Sequence, residues 1–179
     1  MAYHACRLTA TEPCADVHST YCSTIQKGVL FMSESYIRPL ALCIFHNRGK
    51  ILVNQFYDAC DGQTLFRPIG GGIEFGERGI DAIAREVREE LGLSISDIRL
   101  IGTLESIFIY AGKPGHEIVQ IYDARFDDVT VYEQPWLDGC ESDGAAFKAI
   151  WHNSSSFTAT SRLVPEGLSD LLKNASLLD

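Results

Sequence analysis

Gly70-Gly71-Gly72-Ile73-Glu74-Phe75-Gly76-Glu77-Arg78-Gly79-Ile80-Asp81-Ala82-Ile83-Ala84-Arg85-Glu86-Val87-Arg88-Glu89-Glu90-Leu91-Gly92-Leu93 passes from a glycine run into a charged, periodic segment. At about 100° per residue, Ile80, Ile83, Ala84, Val87 and Leu91 form one stripe, the expected buried face of a helix over 80–91. Gly92 is its expected left-handed stop. Glu86 and Glu90 border the stripe on one side, Arg85 and Arg88 lie toward the other, and Glu89 points away from it. The helix breaks a local rule. Asp81 to Arg85 and Arg85 to Glu89 are favourable pairs, but Glu86 and Glu90 repel by about 0.2–0.5 kcal/mol. All three glutamates also crowd the C-terminal turns, where the dipole disfavours each by about 0.3–1 kcal/mol. A cation held by Glu86, Glu89 and Glu90 offsets this, and an all-oxygen ligand set suits Mg²⁺ or Mn²⁺ rather than zinc. Glycines before the helix let backbone groups approach such a cation and phosphates, where a Cβ obstructs.

The surrounding chain reads as one domain. Its 179 residues leave about thirty to spare. Residues 1–35 hold eight Ser or Thr, three Cys and His4 and His18 without periodicity, and read as a flexible N-terminal tail or an upstream extension. Cys6, Cys14 and Cys22 recur every eight residues, too widely for ordinary zinc spacing; with Cys43, Cys60 and Cys140 they are expected as reduced thiols. Two β-rich runs, 40–46 and 51–57, flank Asn47-Arg48-Gly49-Lys50, a hairpin signal. A short strand over 64–67 is expected to stop at Pro68, and further strands at 98–111, 116–126 and 147–152. A last helix covers 166–174 with Leu168, Leu171 and Leu172 on one face. The segment 127–144, containing Trp136, reads as a long acidic loop. Strands flanking a central helix predict an α/β sandwich.

Net charge −9 repels nucleic acid at long range and argues against duplex binding, so an anionic substrate needs a mediating cation. The longest apolar run, residues 40–45, is far short of the roughly twenty that span a bilayer, and residues 1–30 show no signal-peptide core. The expectation is a cytoplasmic chain with no membrane partner. The glycine run fits neither Rossmann nor P-loop spacing.

Gly71, five residues, Glu77, seven residues, then Arg85-Glu86-Val87-Arg88-Glu89-Glu90-Leu91-Gly92-Leu93 resembles the signature of the Nudix hydrolases, Gly-x5-Glu-x7-Arg-Glu-U-x-Glu-Glu-x-Gly-U with U a bulky aliphatic. Every fixed position is filled, Val87 and Leu93 at the two U sites. The resemblance implies a Nudix hydrolase domain over 36–179, an α/β/α sandwich with a mixed β-sheet. It implies a metal-binding carbonyl at Gly70 and carboxylate ligands at Glu86, Glu89 and Glu90. Either Glu86 or Glu89 then orients or deprotonates the attacking water, and Glu77 braces the loop through Arg85. Glu117 is a candidate for the distal carboxylate that many members use as ligand or base. The implied reaction is Mg²⁺- or Mn²⁺-dependent attack of water at phosphorus in a nucleoside diphosphate linked to another group. The alternatives are a regulatory module that binds a nucleotide or metabolite without turnover, or a diphosphate isomerase on the same fold. A homodimer is common in the family.

Outside the signature, Arg67 can pair with a phosphate or be a strand-end surface charge. Phe66, Phe75, Phe108 and Tyr110 are read as core before ligand-stacking residues, and Trp151 as core. Glu74 lies in the loop and can touch a metal through water or simply solubilise the loop. Asp58 to Gly62 resembles a calcium loop only superficially, since Cys60 is no oxygen ligand.

Overall fold

The structure is a computed structural model that describes residues 36–179; the expectations for residues 1–35, with Cys6, Cys14, Cys22, His4 and His18, lie outside the described residues. In chain order the strands are β1 (Arg38–Ile44), β2 (His46–Asn47), β3 (Lys50–Asp58), β4 (Gln63–Gly72), β5 (Ile95–Tyr110), β6 (Lys113–Phe126), β7 (Trp136–Cys140), β8 (Ala146–Asn153) and β9 (Ser161–Leu163). Helix α1 (Gly79–Leu91) follows β4 and α2 (Leu168–Asn174) follows β9. The strands form one sheet in the order β5-β6-β1-β4-β3-β8-β7, with β2 on β3 and β9 on β4. The β1–β6 and β4–β9 pairs are parallel and the others antiparallel, so the sheet is mixed.

The hairpin expectation is half corrected. The turn forms, with Arg48 at φ 50° and Gly49 at φ 74°, as a tight two-residue loop requires. It joins only the two residues of β2 to β3. The preceding run leaves the hairpin and becomes β1, paired to β4 on one side and β6 on the other. The physical reason lies in its residues: Leu40 to Phe45 are all buried, and a strand buried on both faces belongs in a sheet interior.

The expected stop at Pro68 is also corrected. β4 pairs with β3 as far as Val53↔Pro68, then with β1 from Cys43↔Ile69 onward. Proline, lacking an N–H, cannot donate to a ladder, and here it marks where the strand changes partner. The acidic loop is in fact a short 3-10 turn (Val129–Glu133) and β7, where Leu137 is buried between exposed Trp136 and Asp138. α2 begins at Leu168 rather than 166 because Gly167, at φ 83°, is left-handed.

Side-chain alternation along β1 builds a core on each face. Ala41, Cys43 and Phe45 pack with Leu52, Ile69 and the α1 residues Ala82, Ile83 and Val87. Leu40, Leu42 and Ile44 pack with Ile51, Val53, Phe66 and the α2 residues Leu168 and Leu172. This is an α/β/α sandwich. The helix is rolled from the expected stripe: Ile80 is 36% exposed, whereas Ala82 and Glu90 are buried. Gly79 permits the roll, since a Cβ there would meet the Gln120 and Tyr122 side-chain oxygens. Trp151 is only half-buried and Phe75 is fully exposed, contrary to expectation, while Phe66 is core. Cys43, Cys60 and Cys140 are free thiols. Among the described residues, no helix is long and apolar enough to cross a membrane.

Candidate active site

β4 ends in the glycine bend, and each of its first two glycines is required by contact. Gly70 has φ +129°, and a Cβ there would run into the Ala41 carbonyl and approach Ile83 Cδ1 at 2.8 Å. A Cβ on Gly71 would stand 2.7 Å from the Glu86 carboxyl carbon. The bend therefore sits directly against α1 and leaves Glu86 over bare backbone.

Arg85 ties this corner together. Its Nε donates to Glu77 Oε1 and its Nη2 to Glu77 Oε2, both at 2.9 Å, a bidentate pair. Nη2 also donates to the Gly72 carbonyl at 2.9 Å, and Nη1 to Glu86 Oε1 at 2.9 Å and Glu89 Oε2 at 3.0 Å. The Glu74 N–H closes the loop on Glu77 Oε2 at 3.1 Å. The Arg85 hydrogen bonds hold the Glu77 carboxyl below its ordinary pKa. At the start of α1, Arg78 supplies no side-chain cap, and its guanidinium grips Asp81 in the first turn at 2.7 Å instead.

Glu90 differs from its neighbours. It is 8% exposed, and its pKa is pushed up to about 8, first by burial and then by repulsion from Glu141; Arg67 pulls it down, Glu86 raises it, and a backbone hydrogen bond from Gly70 lowers it. Nothing in the sequence singles out Glu141. It lies just past β7, in an acidic stretch that reads as solvated loop, and no motif marks it. Its Oε1 accepts from Asn54 Nδ2 at 3.0 Å.

No three His, Cys, Asp or Glu among the described residues converge closely enough to hold a metal as they stand, and Arg85 donates to both Glu86 and Glu89. The donor set nevertheless fits a hard divalent cation. It is oxygen throughout, Gly71 preserves room against Glu86 that a Cβ would fill, and Glu90 is a buried acid whose ionisation burial and two neighbouring carboxylates oppose.

Arg67 connects this corner with a cavity of about 270 Å³. Phe56, Phe108, Tyr110 and Arg38 line it, with the Phe56 and Tyr110 rings edge to face at 5.6 Å. Glu117 stands on its wall, paired with Arg38 at 3.5 Å.

A family model described as NUDIX domain matches residues 37–166. The NAD-capped RNA hydrolase NudC of Mycobacterium tuberculosis is 28% identical over 123 residues, covering 66% of this chain and 38% of that protein. The protein of the same name from Mycobacterium bovis matches to the same extent. The chain thus spans 38% of the length of the curated relatives it matches. Among solved structures, a MutT NUDIX hydrolase from Burkholderia pseudomallei superimposes with TM-score 0.54 at 18% identity, over 78% of this chain and 98% of that one. A NUDIX hydrolase from Nitrosomonas europaea gives TM-score 0.51 at 18% identity, over 80% and 92%. These likenesses show the fold. The domain match takes in the glycine bend, all of α1 and the strands from β1 to β9, and the chain belongs to the Nudix family.

Proposed function

We propose that the protein is a Mg²⁺- or Mn²⁺-dependent pyrophosphohydrolase that cleaves a nucleoside diphosphate linked to another moiety by attack of water at phosphorus. The observation that carries this reading is the placing of a buried Glu90 and of Glu86 over a glycine bend where a Cβ on Gly71 would displace the Glu86 carboxyl. Glu86, Glu89, Glu90 and the Gly70 carbonyl would hold the cation. Bound there, a divalent ion supplies a water of lowered pKa and offsets the charge of a diphosphate approaching a chain of net charge −9. Glu86 or Glu89 orients the attacking water and takes its proton. Arg85 keeps those carboxylates and the Glu77 loop in register. Arg67 donates to a phosphate oxygen, and the cavity beyond it receives the nucleoside, with Glu117 and Arg38 on the wall.

The likeness to the NAD-capped RNA hydrolase NudC supports a nucleotide-derived substrate, so a dinucleotide diphosphate is the first compound to assay. The test is a panel of NADH, ADP-ribose, dinucleoside polyphosphates, nucleotide sugars and damaged nucleoside triphosphates, each with Mg²⁺ and with Mn²⁺, products identified to locate the cleaved bond. The expected result is metal-dependent cleavage of at least one class, lost on chelation. A second reading is favoured by the Arg85 grip on Glu86 and Glu89: a module that binds its nucleotide without turnover. Stoichiometric binding with no product across the panel would establish that reading instead.

Arg67→Gln is expected to raise KM by about tenfold or more, the worth of one charge-assisted hydrogen bond to phosphate, with a smaller effect on kcat. Steady-state kinetics on the best substrate checks it; an unchanged KM removes Arg67 from the phosphate site.

A further inference from the structure

Three acids are buried among the described residues, Asp58, Glu90 and Asp123. Glu90 belongs to the corner over the glycine bend, and Asp123 is paired with Arg99 at 2.8 Å and His46 at 3.4 Å. Asp58, 3% exposed, pairs with no cation among the described residues. It opens the stretch that imitates a calcium loop, and the fold turns its carboxylate inward. Oδ1 accepts from the Cys60 N–H at 2.9 Å, while Oδ2 meets the Ala111 N–H only at 3.5 Å, the outer limit of such a bond. A carboxylate offers about four acceptor sites, so this one keeps capacity to spare, and it lines the cavity beyond Arg67. A donor arriving on a ligand would use that capacity and relieve the cost of burying the group.

The order of residues along two strands says which part of a ligand arrives there. Asn54↔Arg67, Phe56↔Leu65 and Asp58↔Gln63 are partners at every second position of β3 and β4, so all six face the same side of the sheet. All but Asn54 line the cavity. From Arg67 the row passes an apolar step, Phe56 and Leu65, with the Tyr110 ring edge to face on Phe56 at 5.6 Å, and ends on the polar step of Asp58 and Gln63. Arg67 and Gln63 are four strand steps apart, about 13 Å, a length that accommodates a nucleoside from its 5′-phosphate to the outer edge of its base. The apolar step takes the face of the base, and the groups on its rim meet Asp58.

We propose that Asp58 is the specificity-determining acceptor for the base, taking an N–H of an exocyclic amino group such as that of adenine. The proposal rests on the pyrophosphohydrolase reading and names its substrate class, a diphosphate derivative of a nucleoside whose base carries an amino group. A carboxylate only accepts, so it separates an amine from a carbonyl at a rim position where the two have nearly the same shape. Against a carbonyl it sets lone pairs facing lone pairs. Gln63, whose amide both donates and accepts, cannot make that choice.

The test compares matched substrates that differ in that group: ADP-ribose, NADH and diadenosine tetraphosphate, each against its hypoxanthine counterpart, assayed on the full chain with Mn²⁺. In the pairs that turn over, the adenine member is expected to have the higher kcat/KM by about a hundredfold. Asp58→Asn keeps an oxygen for the Cys60 N–H and offers an amide that also donates. It is expected to bring the ratio to within about threefold of unity, gaining on hypoxanthine while losing on adenine. A merely structural role lowers both members alike and leaves the ratio where it was. Melting curves accompany the assays, and if Asp58→Asn does not fold, the parent's own ratio decides. Equal turnover of both members by the parent, or an unmoved ratio in a folded Asp58→Asn, overturns this proposal and leaves the hydrolase standing. So does cleavage confined to substrates without an amino-bearing base. A chain that cleaves nothing in the wider panel overturns both.

Discussion

Glu90→Gln is expected to raise the melting temperature of the metal-free protein while abolishing metal-dependent hydrolysis. The Glu90 carboxyl has a pKa of about 8 against an ordinary value of 4.5. A folded-state pKa raised in an acid means that the fold prefers the protonated form, so the penalty is absent below about pH 4.5, grows as pH rises and levels off above about pH 8. At pH 7 that gap corresponds to a cost on the order of 3 kcal/mol. Glutamine keeps the shape and removes the charge, and a gain of that size moves the melting temperature of a domain this large by about 5–10 °C. In the parent, Mn²⁺ should recover the same stability by neutralising the carboxylate, most visibly at pH 8, whereas the variant should gain nothing from Mn²⁺. Thermal melts at pH 6 and pH 8, with and without Mn²⁺, check both halves. A variant that melts below the parent at pH 8 without metal, or that retains hydrolysis, sinks the assignment.

Gly70→Ala and Gly71→Ala are expected to fail in different ways. At Gly70 the new methyl meets main chain, the Ala41 carbonyl of the adjacent strand, and does so at φ +129°, a conformation essentially reserved for glycine. Neither obstacle can swing aside, so a loss of about 3 kcal/mol or more is expected, read as a lowered denaturant midpoint. At Gly71 the methyl meets only the Glu86 carboxyl at 2.7 Å, the far end of a flexible side chain. That variant should stay folded within about 1 kcal/mol yet lose most of its kcat, because Glu86 is displaced from the bend. Equal stability losses at the two positions would contradict the geometry.

The contrast between what the sequence reveals and what it hides follows from where each interaction is encoded. The bend, α1 and its Gly92 stop are local, and so legible; the Glu77–Arg85 pair is legible only through the family signature, and the structure shows it. Partner choice among strands is not local. The turn at Arg48-Gly49 is sound chemistry, but the unbroken burial of Leu40 to Phe45 decided which strands β1 joined. Pro68 reads as a terminator because the rule concerns one ladder, and β4 has two. β7 escapes because its alternation turns on a single buried residue, Leu137. The helix stripe differs from the apolar pattern because α1 is rolled on the sheet about Gly79, which buries Ala82 and Glu90 and leaves Ile80 partly exposed. Glu141 is hidden most completely, since its place beside Asn54 depends on the stacking of β7, β8 and β3 across 87 residues of chain.

The change of ladder at Pro68 gives β4 the character of a ruler. Arg67, at the cavity, and Gly70, at the bend, are separated by three peptide steps of the same extended segment, about 10 Å at the rise of a strand. Both flanking ladders hold that segment taut, so neither end can slide toward the other without breaking sheet hydrogen bonds. Any ligand gripped at both marks must fit its anionic portion to an interval that the backbone itself dictates.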